Sequence, residues 1–90
     1  MSAFTQLLQI LQITPDGTEI CMDDVRSYSS ALQWTAHENG QVWKDACRIG
    51  YLVETNRSKP TTHAPAKGRR IQIYRRTPLE VPDHACRDVA

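Results

Sequence analysis

Apolar residues recur at helical spacing in three stretches of the chain and alternate with polar residues further on. Phe4, Leu7, Leu8 and Leu11 fall at i, i+3, i+4 and i+7, with Thr5, Gln6, Gln9 and Gln12 on the other face. This pattern predicts an amphipathic helix over residues 3–12. Pro15-Asp16-Gly17 is a turn signal that ends it. Thr18 to Cys21 alternates over a length suited to a single-bridge strand. Met22, Val25, Ser29 and Leu32 then recur at helical spacing, and Asp23 and Asp24 occupy the first turn, where the helix dipole favours negative charge. A second helix over residues 22–33 follows.

Two capping boxes and a turn dipeptide compete for the next residues. Ser30-Ala31-Leu32-Gln33 and Thr35-Ala36-His37-Glu38 both match the pattern in which cap and third side chains satisfy free amides reciprocally. With Thr35 as the cap, Val42, Ala46 and Ile49 line the inner side of a third helix that runs to a Gly50 terminator. Gly40 then lies inside that helix, at a cost of about 1 kcal/mol relative to alanine. With Asn39-Gly40 as a turn, the second helix lengthens and the third begins near Gln41.

Beyond Gly50, Tyr51 to Thr55 is rich in β-formers, and in Arg69 to Arg75 the residues Ile71 and Ile73 alternate with Arg70, Gln72 and Tyr74. Two antiparallel strands are predicted there. The intervening residues, Asn56 to Gly68, include Pro60, Pro65 and Gly68 and no large apolar side chain, and read as an extended, mobile hairpin tip. The tail 77–90 contains Pro78 and Pro82 and reads as a flexible arm, disordered or docked through Leu79 and Val81. The expected fold is α+β, three helices followed by a two-stranded antiparallel β-hairpin, with one domain over 1–76 and an arm over 77–90.

Ninety residues with 40% hydrophobic content and a net charge of +1 describe one small soluble domain with little room for a deep active-site cleft. The near-neutral total conceals a strong polarity. Residues 1–40 carry five acids against Arg26, residues 41–76 nine bases against Asp45 and Glu54, and the tail three acids against Arg87. Between Thr55 and Arg76 there are seven bases and no acid, a distribution suited to phosphates or to an acidic partner.

The order helix, short strand, helix, helix, Gly50-Tyr51-Leu52-Val53-Glu54, long basic loop and basic strand resembles the winged helix-turn-helix family. The likeness covers residues 3–76 and is carried by Trp43 to Glu54 and by Gly68 to Tyr74. It departs from the family in its long hairpin loop and in the glycine inside the third helix. The resemblance implies that the third helix enters the major groove and that the hairpin, or wing, lies on the backbone or minor groove.

The residues support that reading on their own spacing. His37, Gln41, Lys44 and Arg48 form one stripe of the third helix opposite its apolar side, and offer donors to phosphates and base edges. Asn39 is a further candidate reader, or a turn residue. Arg57, Lys59, Lys67, Arg69 and Arg70 of the wing are candidates for phosphate or minor-groove contacts. Arg75 and Arg76 lie farther from the tip and could equally pair with the acidic first half or the tail. Trp34 and Trp43 read as packing residues. The expected partner is double-stranded DNA, bound by a transcriptional regulator acting as a monomer or as a homodimer on a two-fold site. The alternative is an interaction module that holds an acidic protein on the same scaffold.

Other chemistries find less support. The chain has no nucleophile elbow, phosphate loop or HExxH, so no catalytic residue is assigned. Cys21, Cys47 and Cys86 are odd in number and widely spaced, and neither a disulfide framework nor a metal or cofactor is assigned, although His84 and Cys86 could join Cys47 or His63. No apolar stretch suits a membrane span, and Met1 to Phe4 lacks the basic start of a secretory signal, so a cytoplasmic location is expected.

Overall fold

The computed structural model describes residues 2–28, 34–61 and 68–86. Among these residues the chain is α+β, with three α-helices, a three-stranded antiparallel sheet and a closing 3₁₀ turn. Helix α1, Ala3–Gln12, matches the predicted span and is capped by the Ser2 side chain, which accepts from the Thr5 amide. Its apolar stripe supplies Leu7, Leu8, Ile10 and Leu11 to the core. Strand β1, Glu19–Ile20, is the short strand expected between Thr18 and Cys21, and it points Ile20 inward.

Helix α2, Met22–Tyr28, begins where Asp24 reaches back to accept from the Cys21 amide at 2.9 Å. The rest of the predicted second helix, 29–33, and with it the Ser30 capping box, lie outside the described residues. Helix α3, Ala36–Ile49, starts at Thr35 with both halves of the capping box formed and ends at Gly50, whose φ of 110° is left-handed backbone that favours glycine. Gly40 is therefore a helical residue, not a turn. Val42, Trp43 and Ala46 are buried as the inner face. Ile49, expected on that face, is 46% exposed, since it stands one residue before Gly50 turns the chain away.

The hairpin differs from expectation in two respects. Strands β2, Leu52–Pro60, and β3, Arg70–Arg76, pair with each other, and β3 also pairs with β1, so the sheet has three strands in the order β1-β3-β2 instead of two. Residues 56–60, expected in the loop, belong to β2. They follow a register irregularity between Glu54 and Ser58, where Asn56 adopts a φ of 61°. The strand is an edge strand, which is why Pro60 is tolerated in it.

The segment after β3, expected as an arm, packs against α1 as far as Cys86. Val81 and Cys86 are buried, whereas Leu79 is 47% exposed. The polar edge of α1 fixes this segment through Gln9, which donates to the Cys86 carbonyl, and Gln12, which donates to the Val81 carbonyl and to Asp83.

Candidate nucleic-acid interface

The capped, glycine-terminated helix α3 presents its apolar face to the core, and the opposite face carries His37, Gln41, Lys44 and Arg48, all exposed. Its formal charges nearly balance, because Glu38 and Asp45 accompany Lys44 and Arg48. Two of the candidate readers are already engaged. Gln41 Nε2 and Arg48 Nη2 both donate to Asp45 Oδ1, at 3.0 and 2.9 Å. The Asn39 side chain accepts from the Trp43 indole at 3.0 Å and is half-buried, so it helps to build the helix face.

The attachment of α3 to the sheet is aromatic. The Trp43 and Tyr74 rings stack with centroids 4.7 Å apart and planes 7° from parallel, joining the middle of α3 to β3. Burial, with smaller contributions from Cys47 and Glu54, pushes the Tyr74 hydroxyl up to about 12. Beside this stack runs a groove of about 300 Å³, into which Ala36, Asn39 and Gly40 of α3 face Arg69, Ile71 and Gln72. The base of the hairpin tip and the N-terminal half of α3 thus share one surface depression.

The hairpin supplies the basic surplus, but its bases differ in situation. Arg57 pairs with Glu19 of β1, and Arg75 approaches the same carboxylate at 3.7 Å. Arg70 folds back on its own hairpin, donating to the Ser58 hydroxyl at 2.8 Å and to the Ser58 carbonyl at 2.6 Å. Lys59 and Arg69 are exposed, and Lys59 borders a cleft with Glu19 and Asp24. Lys67 lies outside the described residues. Thr61 donates to Asp23, which ties the outer end of β2 to the start of α2.

Arg76 has a different role from the rest of the basic run. It is 6% exposed and donates to the carbonyls of Leu11, Tyr51, Thr77 and Leu79. Burial lowers its pKa from the ordinary arginine value. The sequence left it to pair with the acidic first half or the tail; main-chain oxygens hold it instead.

Sequence spacing contained a signal for the Asp45 pairing, because Gln41, Asp45 and Arg48 stand at i, i+4 and i+7. The Glu19 and Asp23 contacts to the hairpin cross distant segments and left no such signal. Cys21, Cys47 and Cys86 are unpaired thiols, each pushed up chiefly by burial. Among the described residues no group of three His, Cys, Asp or Glu side chains could share a metal ion, and no helix is long and apolar enough to cross a membrane. No protein-family model, curated protein or solved structure matches the chain significantly.

Proposed function

We propose that the protein binds double-stranded DNA as a winged helix, with α3 in the major groove and the basic hairpin on the backbone or minor groove, most simply as a cytoplasmic transcriptional regulator. One observation carries the reading. The helix that exposes His37, Gln41, Lys44 and Arg48 and the strand that follows the exposed Arg69 meet along a single groove, lined by Asn39 and Gly40 on one side and Arg69 and Gln72 on the other, and the Trp43–Tyr74 stack joins them. The division of labour suits a duplex: α3 offers hydrogen-bonding groups with little net charge, and the hairpin offers charge. The β1-β3-β2 order adds a strand to the two expected, and it leaves β2 at the sheet edge, where Arg57 and Lys59 are exposed.

A mobility-shift titration over a range of salt concentrations tests this. Replacing Arg69 and Arg70 by alanine is expected to weaken binding to every duplex and to lower the salt slope by about 0.9 for each phosphate that is no longer neutralised. Unchanged affinity and slope would remove the hairpin from the interface.

A second reading, an adaptor or inhibitor that holds an acidic protein, draws on Glu19 and Asp23. These carboxylates already sit against Arg57 and Thr61, so the hairpin is chemically suited to acidic side chains. Stoichiometric capture of one protein partner by a chain that binds no duplex at low salt would favour it.

A further inference from the structure

Asp45 lies on the outer face of α3, yet its side chain is only 23% exposed, against 76% for Arg48. Its Oδ1 atom accepts from Gln41 and Arg48 together. A carboxylate accepts only, so the Gln41 amide must turn its nitrogen toward Asp45 and its oxygen away. Gln41 then keeps its Oε1 acceptor and one N–H, the complement of adenine N6 and N7. Arg48, with one Nη2 hydrogen engaged, keeps enough donors for guanine O6 and N7. The carboxylate also fixes two long side chains that otherwise lose rotamer freedom on binding.

Resting on the duplex-binding reading, we propose that Asp45 is a positioning residue that presents Gln41 and Arg48 as one reading head, selective for duplexes with an adenine and a guanine about three base pairs apart. The spacing follows from the helix. Seven residues at 1.5 Å each separate the two readers by about 10.5 Å, close to three 3.4 Å steps for a helix lying along the groove.

Selection from random duplexes with the full chain, followed by titration of the enriched duplex and a scrambled one, tests the assignment. The wild type is expected to enrich the spaced pair. Arg48→Ala is expected to lose the guanine alone and Gln41→Ala the adenine alone. Asp45→Ala, which keeps both readers but frees them, is expected to weaken the adenine and the guanine preference together, cutting the preference for the enriched duplex about tenfold. Its affinity for the scrambled duplex should hold or rise, since an anion near the phosphates is gone. Asp45→Asn, whose amide oxygen still accepts, should recover part of the preference. Circular dichroism checks that each variant is folded.

An Asp45→Ala protein that enriches the same pair, or gains affinity for all duplexes equally, overturns the positioning role. A wild type that binds duplexes without enriching the pair overturns the reading head and leaves duplex binding standing. A wild type that binds no duplex at low salt overturns both.

Discussion

The root of the hairpin and its outer half are built from the same two strands, and they use arginine in opposite ways. At the root, Leu52 and Arg76 face each other and are both buried, and Arg76 gathers four carbonyl groups from three parts of the chain. Beyond the irregularity at Asn56, Arg70 is exposed and its side chain donates to Ser58 across the hairpin. One arginine holds the fold together and the other is held out from it. A run of bases in a sequence therefore overstates the charge on the surface, because position relative to the core decides whether a guanidinium meets carbonyls or solvent.

Arg76→Met is expected to have the largest effect. It keeps a long apolar side chain but removes the donors from buried carbonyl oxygens, and is expected to cost about 3 kcal/mol or more. Urea unfolding measures it, and a loss below about 1 kcal/mol would show that the root does not depend on this residue. The boundary between the two regions comes next. Asn56→Val places a branched side chain at a φ of 61° and is expected to cost about 1–2 kcal/mol; a loss near zero would mean that the backbone there relaxes without harm.

Glu19→Gln is expected to change stability by no more than about 1 kcal/mol, because the ion pairs it removes are partly exposed. It should also strengthen low-salt duplex binding by releasing Arg57 and Arg75. Reduced binding would instead assign Glu19 to the shaping of the interface. The smallest effect belongs to Arg70→Ala, expected within about 0.5 kcal/mol of wild type in the same unfolding experiment. A loss approaching that of Arg76→Met would erase the distinction between root and outer half.

Local chemistry made much of this fold legible. The Leu7, Leu8 and Leu11 stripe defines α1, the Thr35–Glu38 box and Gly50 bound α3, and even the two-residue strand at Glu19 is visible as alternation. Gly40 obscured α3 by presenting a turn dipeptide, although a Cβ there meets nothing within 4 Å. The outer half of β2 was hidden for a different reason. Asn56 to Pro60 has no apolar alternation, and the segment becomes a strand through its pairing with β3.

The candidate interface was legible as a set of positions and illegible as a set of states. Gln41, Lys44 and Arg48 share an exposed face as their spacing requires, but no periodicity reports that Asp45 engages two of them or that Glu19 engages Arg57. Such pairings depend on side-chain reach and on contacts between distant segments. Arg76 is the extreme case, since its partners are main-chain atoms that carry no residue identity.

Those partners also bear on the order in which the molecule assembles. The bonds from Arg76 to Leu11 and Tyr51 span 65 and 25 residues, so they form only after large loops have closed and the helices and hairpin have met. Bonds that form on the native side of the folding barrier govern escape from the native state more than arrival at it. In stopped-flow measurements, Arg76→Met should accelerate unfolding steeply while refolding keeps nearly its wild-type rate. The buried guanidinium then sets how long the molecule stays folded, and a sharply slowed refolding limb would instead place it in the nucleus.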